Sequence, residues 1–515
     1  MIHRAKLSRH AFLRFWQAHS YAGIIAGLLL YVMCLCGTLT LYRHELELWE
    51  EPLAQPNAAH YSLDHSLKLL LSVVGPVEPE IWLHLPDDRA APKFDVRPQA
   101  SSQWKSYWVD AETSTVVPER ERLSSLIYRL HFLWHDATGV WLYYVAGLLA
   151  VSMLVALVSG CLIHLKDIAQ QFHQFRPFKT ARVLWSDMHK VLGVMGLPFQ
   201  LMYAYTGALL VLTPLILQTF LGPVFQGNLE RAEQLAFGVS EPSVDHHAAE
   251  AVPLPIDDLI AHARRERPGL KIETLEIVNH GRLDGRVNAW GFVPTVPEQR
   301  AHIELAESDG RVLSSELHHD ASTSLRRWVR GLHFARFGGR LLRAAFFALG
   351  LLSCLALLSG NLVWLARRRS GSFRTFERLT ASVGAGTITA LGALFFASRV
   401  LPVAMPARAA IEELVFFAVL AAAILYGFAT RDVAALWWRL LAVASVLLAP
   451  VPMLAAGMSQ AGLFGTGPSL GVLVGVDLTI QGFSLAILAL AAALKRRLSG
   501  HSVLHPSLPR EAEHV

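Results

Sequence analysis

The stretch from Tyr128 to Asp167, YRLHFLWHDATGVWLYYVAGLLAVSMLVALVSGCLIHLKD, decides how the rest of the chain is read. Its middle, Val140 to Ile163, is almost unbroken apolar sequence, long enough to cross a bilayer as a helix. Histidines stand just beyond both ends: His131 and His135 before it, His164 after it. Ionisable side chains near a membrane span are costly and tend to mark function.

The remainder of the chain extends this pattern. Its 515 residues are 53% hydrophobic and only 17% charged, which excludes an ordinary soluble domain. Apolar runs of spanning length begin near residues 21, 140, 190, 341, 380, 411, 437 and 470. They predict an α-helical integral membrane protein with about eight transmembrane helices. The first run, Tyr21 to Tyr42, is too long for a signal-peptide core and no small-residue cleavage site follows it, so it reads as an uncleaved anchor.

Basic residues orient the helices. Arg4, Lys6, Arg9 and Arg14 precede helix 1; Lys166, Arg176, Lys179, Arg182 and Lys190 occupy the 2–3 loop. Arg367, Arg368, Arg369, Arg374 and Arg378 lie between helices 4 and 5, and Lys495, Arg496 and Arg497 open the tail. With eight alternating helices all of these fall on one side, which predicts cytoplasmic termini and two long outward-facing loops. The net charge of +5 follows from this arrangement and gives no reason to invoke nucleic acid. Cys34, Cys36, Cys161 and Cys354 all fall within predicted spans and read as small apolar core residues.

The expected organisation has four parts. Residues 1–217 hold helix 1, a first outer module (about 43–138), helix 2, the inner loop and helix 3. Residues 218–369 hold a second outer module (about 218–340) and helix 4. Residues 370–498 form a C-terminal four-helix membrane bundle, and 499–515 a cytoplasmic tail. Each outer segment offers a helix followed by short alternating runs and polar hairpin turns, the pattern of a small α+β module.

The first four helices read as an internal duplication. His19 is followed eighteen residues later by Gly37, and His189 eighteen residues later by Gly207. RLHFLWHDATG before helix 2 aligns with GLHFARFGG before helix 4, setting His131 on His333. LVSGCLIH aligns with LLSGNLVW, setting Gly160 on Gly360 and His164 on Trp364. Two copies in one orientation imply a pseudo-two-fold axis along the membrane normal, near which equivalent histidines meet.

His131 and His164 are 33 residues apart, roughly 50 Å on an unbroken helix, so they cannot serve one centre. An outer site at His131 and His333 and an inner site at His19, His164 and His189 follow, with three candidates for the inner one. His135, four residues after His131, can share its helix face. Clusters of histidine without thiolates or an acid triad suit bis-imidazole haem b, two per chain, better than zinc. Gly23, Gly27 and Gly193 allow close helix approach. Arg129, Arg326, Arg327, Arg330 and Arg336 outside, and Arg14, Lys166, Arg182 and Lys190 inside, are cations suited to haem propionates. His84, His246, His247, His302, His318 and His319 read as surface residues and His173 as an ordinary inner-loop residue, while His44, just past helix 1 and without a counterpart in the second copy, stays a further candidate. Helices 5–8 contain no histidine and few polar groups, chiefly Glu412, Glu413, Asp477 and Gln481.

Between Ser159 and Leu210 the chain carries Gly160, His164, Phe172, Phe175 to Pro177, Trp185, Asp187, His189, Leu197 to Phe199 and Thr206-Gly207. This pattern resembles the signature of the PepSY-associated transmembrane family, and the likeness runs from about residue 12 to about 369. The family includes iron-regulated inner-membrane proteins and haem-containing siderophore reductases. The resemblance therefore implies a membrane haem b oxidoreductase that delivers electrons to a periplasmic ferric-siderophore or other ferric chelate, releasing Fe(II) during iron uptake. By position it implies His19, His131, His164, His189 and His333 as ligands, with Asp187 able to orient His189. It departs at Gln200, where relatives often carry histidine.

No dinucleotide fingerprint or flavin domain is present, so the electron donor is expected to be separate, a quinol or a cytoplasmic flavoprotein. A siderophore or metal permease using the two halves for alternating access is the alternative of a different class. A PepSY-type sensory or inhibitory membrane protein is another. Neither outer segment shows a nucleophile–base constellation, which argues against peptidase activity.

Overall fold

The computed structural model describes residues 8–503, apart from 51–61, 87–91, 102, 111–113, 120–121, 136–137, 165–173, 177–178, 230, 233–247, 293–298, 316–320, 336, 369–372, 403–404 and 459–469. The chain runs through α1 (Arg9–Thr40), α2 (Arg43–Glu50), α3 (Leu63–Val74), β1 (Val77–His84), β2 (Lys93–Pro98), β3 (Lys105–Asp110) and β4 (Thr115–Pro118). Next come α4 (Leu123–His131), α5 (Val140–His164), α6 (Ala181–Met195), α7 (Leu197–Leu221) and α8 (Ile256–Glu266). A second set of strands, β5 (Lys271–Val278), β6 (Arg286–Phe292), β7 (Gln299–Ala306) and β8 (Val312–Ser315), leads to α9 (Ala321–Phe334) and α10 (Gly339–Ala366). The chain closes with α11 (Arg374–Val400), α12 (Arg408–Ala429), α13 (Val433–Leu448), α14 (Val451–Met458) and α15 (Leu470–Val503).

Among the described residues eight helical stretches are long and apolar enough to cross a membrane: α1, α5, α7, α10, α11, α12, the α13–α14 run and α15. Hydrocarbon offers no hydrogen bonds to a bare backbone, so apolar runs of this length close their polar groups inside helices. Polar caps set several starts: Ser8 accepts from Ala11 N at α1, Thr180 from Val183 N at α6 and Asp432 from Ala435 N at α13. The third spanning helix begins later than the apolar pattern suggests. Gly196, followed by Pro198 in the first turn of α7, separates α6 from α7, so His189 lies on its own short helix.

The strands form one antiparallel sheet, in the order β4-β3-β2-β1-β5-β6-β7-β8. This corrects the expectation of two separate modules. β1 pairs with β5 from Glu80↔Val278 to His84↔Thr274, joining four strands from each inserted segment. Left apart, β1 and β5 would each expose an unpaired edge; together they seal both. One apolar core serves both halves, with Leu67 and Leu70 of α3 and Leu259 and Ile260 of α8 packed against Ile81, Leu83, Leu275 and Ile277.

Below the sheet, α1 packs against α5 and α10, α6 against α10, and α5 against α7. In the C-terminal bundle α11 packs against α12 and α13, and α13 against α15. The four cysteines lie in α1, α5 and α10, unpaired.

Candidate functional site: two histidine pairs

Two pairs of imidazoles meet inside the bundle of α1, α5, α6, α7 and α10. At the end away from the sheet, His19 of α1 faces His189 of α6, ring centroids 5.9 Å apart and planes at 59°. At the sheet end, His131 closes α4 and His333 lies in α9, again 5.9 Å apart, with planes at 27°. Two imidazoles bound on opposite sides of one metal through nitrogens at about 2.0 Å place their centroids roughly 6 Å apart. Both pairs have that separation.

Hydrogen bonds dictate the tautomer of each ring. His19 Nδ1 meets Ala156 O at 2.7 Å, His189 Nδ1 meets Ala356 O at 2.8 Å, and His131 Nδ1 meets Met33 O at 2.9 Å. A carbonyl only accepts, so each Nδ1 carries the proton. His333 Nδ1 lies 2.9 Å from Thr206 Oγ1, whose own hydroxyl is given to Met202 O at 2.7 Å. That oxygen also accepts. All four rings therefore keep Nε2 as a lone-pair donor, the form that binds a metal.

Glycines seat the rings. A Cβ on Gly160 would stand 2.9 Å from His19 Cε1, and one on Gly360 2.9 Å from His189 Cε1. At the sheet end a Cβ on Gly37 would overlap the His131 ring, and one on Gly207 would touch His333 Cε1 at 3.4 Å. These positions were visible as repeat markers in the sequence. Their role as imidazole seats was not, because it depends on the neighbouring helix.

A cavity of about 650 Å³ opens around His19 and His189. Gly23 and Gly193 line it, and a Cβ at either would meet no atom within 4 Å. They leave flat helix surface facing open space rather than drawing helices together. Gly27 does serve close packing, against Asn361. Asn361 lines the cavity too, and its buried Nδ2 has no hydrogen-bond partner among the described residues. Gln200 lines it as well and bonds Ser353 Oγ at 3.3 Å. His164 lines the same cavity from the end of α5. At the sheet end Tyr203 packs its ring 5.1 Å from His333, and its buried hydroxyl is likewise unpartnered among the described residues.

Three expected roles change. His135 does not share a helix face with His131: α4 ends at His131, Leu133 adopts a left-handed conformation (φ 57°), and His135 Nε2 lies 2.7 Å from Glu413. Asp187 does not orient His189. Its carboxylate takes Arg176 at 2.8 and 3.0 Å and Lys190 at 3.5 Å, and the Arg176 hydrogen bond holds it below the usual carboxylate range. The expected cations are also differently placed. Arg129 pairs with Glu413 at 3.1 Å and Arg330 lies over the Phe334 ring at 5.2 Å. Arg336 and Lys166 lie outside the described residues, and Arg14 and Arg182 are exposed. At the cavity Lys190 stands as expected, joined by Arg367 and Arg368.

Apolar spanning helices around paired imidazoles at two depths, with a sheet at one end, define a multi-pass membrane protein with two candidate metal or cofactor positions. The model of the family described as the PepSY-associated TM region matches residues 16–367, and the chain belongs to that family. The match holds all four paired histidines and excludes α11–α15. An uncharacterized protein of Pseudomonas aeruginosa is 28% identical over 275 residues, covering 50% of this chain and 68% of its own.

Proposed function

We propose that this protein is a transmembrane haem b oxidoreductase that passes electrons across the inner membrane to a periplasmic ferric-siderophore or ferric chelate. His19 and His189 would hold one haem, and His131 and His333 a second. One observation carries the reading: four imidazoles, each with Nδ1 committed to an acceptor, arranged as two pairs 5.9 Å apart.

The donor set fits haem. Two imidazoles are too few for a closed zinc site and are the number of axial positions a haem offers. The far-end cavity of about 650 Å³ is within the range of cofactor pockets, and its Gly23 and Gly193 walls leave room for a flat ring. Lys190, Arg367 and Arg368 line the cavity and would supply cations to propionates, and Asn361 offers an uncommitted donor. When bound, haem b supplies one-electron chemistry at a potential tuned by its ligands and their hydrogen bonds. The chain's own part is to fix ring orientation through Ala156, Ala356, Met33 and Thr206 and to keep water from the rings. Fe(II) binds hard oxygen donors far less tightly than Fe(III), so reduction at the sheet would release iron.

Matched contacts support an internal duplication of helix, inserted segment and helix: Ala156 with Ala356, Gly160 with Gly360, Gly37 with Gly207. Among the described residues Arg9, Arg14, Arg182, Lys190, Arg367 and Arg368 stand near the helix ends opposite those that lead into the sheet, which supports a periplasmic sheet and cytoplasmic termini. The electron donor would be a quinol or a cytoplasmic flavoprotein.

Purification with haem supplied, followed by pyridine-haemochrome quantitation, tests the reading. Two haems per chain are expected, one in His131→Ala/His333→Ala and none when His19 and His189 are also replaced. Dithionite-reduced protein in liposomes should reduce an external ferric chelate. Absence of a Soret band, or full haem content in the fourfold variant, would overturn it.

A further inference from the structure

Helices α11–α15 lie outside the family match and take no part in the reading above. They nevertheless meet the His131 segment through a set of buried and part-exposed charges. Glu413 of α12 accepts from Arg129 Nη2 at 3.1 Å and lies 2.7 Å from His135 Nε2, so it grips the chain on both sides of His131. One residue earlier, Glu412 pairs with Arg408 at 2.8 Å, with side chains 1% and 7% exposed. Arg408 also donates to Ser398 O at the end of α11. At the head of α4, Arg122 donates to Glu50 O at 2.7 Å, and Glu50 Oε2 accepts from Ser124 N at 3.1 Å.

Apolar packing runs the same way. Leu123, Leu126, Ile127 and Leu130 of α4 share one core with Leu391 and Leu394 of α11 and Phe416 of α12. This matters because α4 is nine residues long and Leu133, at φ 57°, breaks it from α5. The spanning helix that follows therefore does not dictate the direction of the His131 ring. His333 is held differently: α9 packs on α7 and β7.

We propose that α12 is a positioning element for the sheet-end histidine pair: Glu413, through Arg129 and His135, holds the segment that carries His131, while Met33 O and Gly37 of α1 fix the ring on it. The appended bundle is on this account a jig for one ligand of one site. The inference rests on the haem reading for its cofactor but not for its mechanics.

The test uses the full chain with Glu413→Gln, which keeps shape and removes charge, and Arg129→Met beside the conservative Arg129→Lys. With haem bound, ring angles of 27° and 59° would give the two sites different low-spin EPR signals. Glu413→Gln and Arg129→Met should alter the g-values and midpoint potential of the sheet-end signal alone, and Arg129→Lys should restore part of the change. Hydrogen exchange across residues 123–135 in haem-free protein should rise several-fold in the same variants. Ser445→Ala, which removes the Ser445–Ser484 contact inside the bundle, should leave both signals unchanged. Unchanged signals and exchange in Glu413→Gln, or equal changes at both sites, would overturn the inference. If the wild-type chain binds no haem, the haem reading fails by itself and the exchange measurement alone decides this one.

Discussion

His19 and His189, 170 residues apart in the chain, face each other across 5.9 Å, and each gives its Nδ1 proton to an alanine carbonyl of a third or fourth helix. The pair therefore exists only when α1, α5, α6 and α10 are all in place. A ring held this way has one rotational setting and one tautomer, which lowers the entropy lost when a metal binds.

The seats at Gly160 and Gly360 admit no side chain without moving the rings. Gly160→Ala and Gly360→Ala are each expected to cost about 1–3 kcal/mol from overpacking. Each should also lower haem content at the far-end site while leaving the sheet-end site filled. Haem per chain and thermal unfolding in detergent measure both effects.

Thr206 accepts the Nδ1 proton of His333 while donating to Met202 O. Thr206→Val keeps the shape and removes the acceptor, so affinity of the sheet-end site for its group should fall by about 10–100-fold. Thr206→Ser should retain most of it. Competition for bound haem by apomyoglobin reads the difference.

Asp187 is fully buried and holds Arg176 and Lys190 rather than His189. Asp187→Asn is expected to cost about 1 kcal/mol, because Arg176 is half exposed and water replaces part of what it loses. Haem content should not change. The depressed carboxylate adds stability in full above its ordinary value of 3.8 and loses it as pH falls through the lower folded value, so acid unfolding should begin earlier without it.

In the sheet, Glu307 Oε1 lies 2.5 Å from His280 Nδ1, and that hydrogen bond raises the imidazole above its ordinary 6.5. The stabilisation is complete below 6.5 and is lost as pH rises through the raised folded value. Thermal stability of the intact protein should fall over that window on alkaline titration. Glu307→Gln should flatten this slope, and an unchanged slope would exclude the pair as its source.

Much of this architecture was legible in the residues. The lengths of the apolar runs announced eight spanning helices, since hydrocarbon thickness sets a minimum that few other structures reach. The spacings from His19 to Gly37 and from His189 to Gly207 singled out two glycines that the structure sets against the His131 and His333 rings. Gly23 and Gly193, expected to draw helices together, instead face open cavity, because helix-face spacing alone does not say whether a neighbour stands there.

What the sequence by itself determined is therefore the set of elements and the candidate ligands: period, length and composition act within one segment. Only the tertiary structure decided which candidates meet. It placed His189 opposite His19 with His164 farther round the same cavity, gave His135 to Glu413 and Asp187 to Arg176, and fused the two inserted segments through β1 and β5. These outcomes depend on through-space distances between segments up to nearly three hundred residues apart, on breaks at Leu133 and Gly196, and on how competing partners share each charge. Local patterning carries none of that information, and long-range packing carries all of it.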